Sequence, residues 1–152
     1  MSTLFVVFKV GDAEYVLPAA DVVQMESFGT ATPIPGAAAH VAGLVQIRGR
    51  VIPVIDLRAR FGLPAVPRTL DSRVIVVQAG ERQVGLLADV AREVVRIGED
   101  QFRPPPDVVA TQSEGFVRSI AQAGARLVLR VDFEKLIGPK FASEEQSHGQ
   151  QA

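Results

Sequence analysis

The chain has 152 residues, with sixteen basic and seventeen acidic side chains, a net charge of −1, no cysteine and 47% hydrophobic residues. This length suits one compact domain or two small half-domains sharing a core. The balanced charge, the absence of Trp and the single Tyr15 argue against a nucleic-acid surface, and the lack of cysteine excludes disulfides and thiolate metal sites, which fits a cytoplasmic protein.

The apolar runs are short and broken by charge, Gly or Pro, so none approaches the ~20 residues that a membrane-spanning helix needs. The opening MSTLFVVFKVGD has no basic stretch and no small-residue cleavage site, so no signal peptide is expected. Val and Ile then dominate in blocks punctuated by Gly and Pro, the pattern of strands. Residues 4–10 (LFVVFKV) read as a strand that turns at Gly11-Asp12 into a second strand at 14–17. A short strand or turn is expected at 21–25, a loop at 30–36 and one helical turn at 37–42. Strands at 44–47 and 50–57 meet at Arg48-Gly49, and a helical turn at 58–61 leads into a linker at 63–67. Pro53 lies inside the second of these strands and is expected on an edge or a bulge, where no ladder N–H is needed.

The pattern then restarts. Strands are expected at 73–78, 83–88 and 93–97, followed by a proline loop at 102–107 (FRPPPD). Two more strands at 115–121 and 126–131 precede a helical turn at 133–136. From residue 142 the chain turns small and polar (ASEEQSHGQQA) and reads as a flexible tail.

Residues 50–62, RVIPVIDLRARFG, align without gaps on residues 126–138, RLVLRVDFEKLIG. The shared frame places Asp56 opposite Asp132 at the end of a strand. Asp21-Val22 likewise returns as Asp89-Val90. Each half, about 4–66 and 70–138, therefore holds a hairpin, a short strand, a loop, two strands and a helical turn. The expected fold is mainly β: two small five-stranded barrels of one plan in a single domain over residues 1–141, packed together and open to strand exchange, because each alone has too small a core.

The stretch 41–62, VAGLVQIRGRVIPVIDLRARFG, resembles the CheW family pattern G-V-x-N-L-R-G-x-x-x-P-V-x-D-L-R, and 84–97, VGLLADVAREVVRI, is similar to its V-G-x-x-V-D-x-V-x-x-V-x-x-I. The resemblance runs from about Phe5 to Ile137. It implies two SH3-like barrels, no catalysis and no cofactor. It also implies two partners, the cytoplasmic tip of methyl-accepting chemoreceptors and the regulatory domain of a CheA-type histidine kinase, reached by recruitment to membrane-associated arrays without membrane insertion.

Carried over by position, the resemblance makes Val22, Gln24 and Arg48 receptor-binding residues and Arg103 and Val108 kinase-binding residues. Arg48 would project its guanidinium from a Gly-punctuated turn. The proline run after Arg103 would hold its loop extended and lower the entropy lost on docking. Gln24, Gln46 and Val108 differ from the family's usual residues there, which bears on partner choice. A scaffold of a specialised motility or surface-sensing pathway and a small-molecule-sensing two-barrel domain are the alternative readings. Asp56 and Asp132 are expected as helix caps, and Gly43, Gly49, Pro53 and Gly85 as backbone-shape residues. With His40 and His148 the only histidines and no nucleophile motif, neither a metal site nor an active site is expected.

Overall fold

A computed structural model of the chain describes residues 2–137, so the expected tail at 142–152 lies outside the described residues. Ten strands run in the order β1 (Ser2–Val10), β2 (Ala13–Pro18), β3 (Val22–Ser27), β4 (Val41–Ile47), β5 (Arg50–Asp56), β6 (Arg73–Ala79), β7 (Arg82–Ala88), β8 (Val90–Gly98), β9 (Val117–Ala123) and β10 (Arg126–Val131). Three short helices, α1 (Leu57–Arg60), α2 (Asp107–Gln112) and α3 (Phe133–Ile137), complete the set with two 3-10 turns. The strands form two five-stranded SH3-like barrels. Among the described residues no helix is long and apolar enough to cross a membrane.

The two sheets follow one plan. Their orders are β8-β1-β2-β10-β9 and β3-β6-β7-β5-β4. Exchanging each strand for its counterpart five positions along the chain turns one order into the other. Each barrel thus contains strands from both halves of the sequence, joined by the parallel pairs β2–β10 and β5–β7. At the β7–β8 junction link length explains the exchange. The only residue between β7 and β8 is Asp89, and three residues of 3-10 turn (Ala19–Asp21) separate β2 from β3. The commonest tight hairpins use two-residue loops with their own turn geometry. A one-residue link cannot fold back, so the next strand carries on into the other sheet.

Being shared in this way, the central strands are covered on both faces and read as near-continuous apolar runs. Phe5 and Val7 of β1 point into the core of the first barrel, whereas Phe8 and Val10 join the layer between the barrels. In the second barrel Val74 and Val76 of β6 face the interior, while Ile75 and Val77 face the shared layer. The shared layer is the largest cluster and contains a file of rings. Phe8 and Tyr15 lie 5.8 Å apart, Tyr15 and Phe61 5.0 Å, and Phe61 and Phe116 6.2 Å. Burial here pushes the Tyr15 hydroxyl above its usual range.

The structure departs from the sequence reading at three places. No helical turn forms over 37–42: a turn at 39–40 leads directly into β4, which begins at Val41. The stretch after the proline run forms the helix α2, where only loop was expected. Pro53 sits in β5, which lies between β7 and β4 and is therefore no edge strand. Its partner Leu44 exchanges both backbone hydrogen bonds with Thr32 at 2.8 Å, so Leu44 asks nothing of Pro53. On the other side the parallel ladder begins only at Val54. Pro53 thus lacks its N–H at a point where no ladder needs it.

Gly43 makes this crossing possible. Its φ is 137°, it follows a bulge in β4, and a Cβ there would collide with the Thr32 carbonyl oxygen. Gly43→Ala is expected to destabilise the fold by about 2 kcal/mol, from strain and the lost Thr32–Leu44 bridge. Chemical denaturation would measure it, and an unchanged midpoint would refute the role.

Candidate interaction surface

Four hairpins have two-residue loops. In three of them Gly comes first with positive φ: Gly11 at 62°, Gly80 at 64° and Gly124 at 65°. The β4–β5 turn reverses this. Arg48 takes the first position at φ 53° and Gly49 the second at 79°, the signature of a type I′ turn. Left-handed backbone suits Gly or Asn, and for arginine it is strained. The Arg48 side chain is 77% exposed, and its Nε stands 3.8 Å from Glu26 Oε1. Glu26 in turn accepts a hydrogen bond from Gln24 Nε2 at 2.8 Å. Arg48 and Gln24, grouped by the resemblance as receptor-binding residues, meet through Glu26. The sequence reading missed Glu26, and only its place two residues beyond Gln24 on the same strand face could have signalled it.

Val22 is placed differently from expectation. It packs against the shared layer, while Val23 and Met25, at 44% and 42% exposure, are the apolar side chains β3 shows to solvent. The strand also carries a bulge here. Val22 pairs with Val77 and Gln24 with Val76, so Val23 is extra in the ladder, while burial still alternates, with Val22, Gln24 and Glu26 half-buried and Val23, Met25 and Ser27 exposed. Beside Gln24 and Arg48, the end of β3 and strand β4 enclose a cleft of about 150 Å³ lined by Phe28, Val45, Gln46 and Ile47.

Arg103 and Val108 lie on the other barrel. The Arg103 backbone bridges β9, donating to the Ile120 carbonyl at 2.8 Å and accepting from its N–H at 2.9 Å. The preceding Phe102 ring packs 5.1 Å from Phe5, with the Arg130 guanidinium over both rings. The proline run is thus anchored at its start and ends in α2, which presents Val108 at 59% exposure. The Arg48 turn belongs to the β3–β4 barrel and Arg103 to the β9 barrel, so the two groups occupy different barrels.

The remaining singled-out residues serve the backbone. Asp56 Oδ1 accepts from the Arg58 and Ala59 N–H groups at the start of α1, and its Oδ2 holds Arg68 at 2.6 Å. Asp132 caps α3 through the Lys135 N–H at 3.3 Å. At Gly85 a Cβ would lie 2.6 Å from Val74 Cγ1, so the barrel core has no room for one. Two residues of the motif blocks form a pair the sequence did not announce. Arg58 Nε donates to both Asp89 oxygens at 3.0 Å, and Asp89 also accepts the Gly11 N–H at 2.8 Å. Among the described residues no group of three His, Asp or Glu could hold a metal ion. Burial, with Arg60 nearby, holds His40 below the usual histidine range.

Comparison with known proteins shows the family. The family model for the CheW-like domain matches residues 4–140. The chain is 31% identical to the chemotaxis protein CheW of Rhizobium meliloti, over 92% of this chain and 88% of that one. It is 30% identical to the Bacillus subtilis chemotaxis protein CheW, covering 84% and 81%, and 31% identical to Protein FrzA of Myxococcus xanthus, covering 88% and 84%. The crystal structure of the scaffolding protein TtCheW from Thermoanaerobacter tengcongensis superposes with a TM-score of 0.83 at 31% identity, covering 93% of this chain and 91% of that chain. The chain belongs to the CheW family.

Proposed function

We propose that the chain is a non-catalytic scaffold that couples chemoreceptors to a CheA-type histidine kinase, acting as one unit over residues 1–141. The observation that carries this reading is the Arg48 turn. A strained, exposed guanidinium contributes little to the fold, and it stands beside Gln24 and Glu26 on one barrel where a charged partner can reach all three. Membership of a family of coupling proteins supports the same reading. The partners we assign are the cytoplasmic tip of a receptor at the Arg48 surface and the kinase regulatory domain at the Arg103–Val108 surface, which would recruit the protein to membrane-associated arrays. Met25 and Val23 replace Val22 as the apolar contacts of the receptor surface, since Val22 is turned inward.

Separation of the surfaces makes the proposal testable. Arg103→Asp combined with Val108→Ser is expected to weaken association with the kinase regulatory domain by about fivefold or more. Receptor-tip binding should stay as in the unmodified protein. Co-sedimentation with each partner separately would measure both, and equal loss of the two would count against this assignment.

A further inference from the structure

Among the described residues, two that are not glycine take positive φ: Arg48 at 53° and Glu114 at 52°. Arg48 lies on the surface assigned to the receptor. Glu114 lies just past α2, the helix that presents Val108, in the segment that leads into β9. A Schellman turn closes α2. The Gly115 N–H donates to the Ala110 carbonyl at 3.1 Å and the Glu114 N–H to the Thr111 carbonyl at 3.2 Å, which puts Glu114 at the left-handed position of the motif. Glycine, and sometimes asparagine, is the ordinary occupant there, because a Cβ makes left-handed backbone costly.

The charge suits the place no better than the backbone does. The last carbonyls of a helix carry partial negative charge, so a carboxylate beside them is repelled where a lysine or arginine would be favoured. No cation among the described residues compensates. The Lys135 ammonium stands over Gly115, where a Cβ would lie 3.1 Å from its Nζ, and still forms no ion pair with Glu114. Glu114 is also exposed, so burial does not offset the strain. Local structure disfavours this residue on two counts, and strain of this kind concentrates where a partner or ligand uses it.

Glu114 is held in place relative to Arg103 and Val108. The paired backbone bonds between Arg103 and Ile120 close residues 104–119 into one loop. Inside it, the Phe116 N–H donates to the Ser113 carbonyl at 2.8 Å and the Val117 N–H to Ser113 Oγ at 3.4 Å, tying the turn to β9. Arg103, Val108 and Glu114 thus stand on one anchored segment. Both of its charged members are exposed and free of ion pairs among the described residues.

We propose that Glu114 is a charged contact of the kinase surface and receives a lysine or arginine of the kinase regulatory domain. The surface then offers a cation at Arg103, an apolar contact at Val108 and an anion at Glu114, and the facing patch carries the opposite charges in that order. This proposal rests on the assignment of Arg103 and Val108 to the kinase.

The test measures association of the full chain with the kinase regulatory domain and with a receptor tip, together with thermal midpoints. Glu114→Gln keeps the strained backbone and removes only the charge, so it should weaken kinase-domain binding about threefold with Tm unchanged. Glu114→Lys should weaken it about fivefold, a loss that shrinks in raised salt. Glu114→Asn should weaken binding as Glu114→Gln does and raise Tm by about 1–4 °C. Receptor-tip binding should be unchanged in all three. The protein carrying Arg103→Asp and Val108→Ser tests the underlying assignment in parallel. If it loses kinase-domain binding while the Glu114 variants keep theirs, the Glu114 contact is overturned and the surface stands. If none of the four proteins loses binding, contact and surface fall together. Equal loss of receptor-tip binding, or a Tm lowered by Glu114→Asn, would overturn the contact by showing that Glu114 serves the fold.

Discussion

Asp89→Ala is expected to cost about 3 kcal/mol of folding stability, among the largest effects of any single change in this chain. The Asp89 and Arg58 side chains are only 22% and 15% exposed. Removing the carboxylate leaves a largely desolvated guanidinium without its counter-charge, and losing one partner of a buried pair costs ~3–5 kcal/mol. The partial exposure of both groups places the estimate at the low end of that range. The Gly11 N–H also loses its acceptor. The pair does more than cancel charge. Asp89 is the whole link between β7 and β8, Gly11 belongs to the β1–β2 turn, and Arg58 also donates to the Pro64 carbonyl at 2.7 Å. Four segments from both halves of the sequence are held at one point, the point where the chain leaves one barrel for the other. Arg58→Ala should cost nearly as much, and the double substitution much less than the two together, because each single change strands the other group. Urea denaturation of the three variants would show the coupling; strictly additive losses would dismiss the pin.

How far the sequence discloses this follows from the range over which each signal acts. The alignment of 50–62 on 126–138 exposes the repeat because both copies must place a strand, an aspartate cap and one helical turn in order. Those are local demands, and they are written locally. The two-barrel fold follows from them. The Asp89–Arg58 pair is different: its members stand 31 positions apart. They meet only because the one-residue link sends β8 into the other sheet. At β3 the alternation is legible and holds, but which face is covered depends on the shared layer that Val22 packs against, and nothing in the letters VVQM announces that contact. The helix α2 hides behind its prolines. Pro106 stands at its N-cap, where a missing N–H does no harm, so a residue that reads as a breaker also begins the helix.

Arg48 offers the sharper functional test, because stability and coupling should move in opposite directions. The ion pair with Glu26 is long, at 3.8 Å, and one partner is largely in water, so it adds little to stability. The backbone at φ 53° is costly for arginine and easy for asparagine. Arg48→Asn is therefore expected to stabilise the fold by about 0.5–1 kcal/mol while weakening receptor coupling. Arg48→Glu keeps the strain and sets a second carboxylate beside Glu26, so it should be neutral or slightly destabilising. Its association with a receptor tip should fall by about tenfold or more, equal to 1.4 kcal/mol or more. Denaturation midpoints and receptor-tip binding, measured on the same preparations, give the two readouts. If Arg48→Asn gained stability and kept full coupling, the guanidinium would have no role at this surface and the receptor contact would have to lie elsewhere. If both variants lost stability in step with coupling, the turn would be a folding element only. The proposed scaffold requires the third pattern, in which a residue the fold would be better without is the one the partner needs.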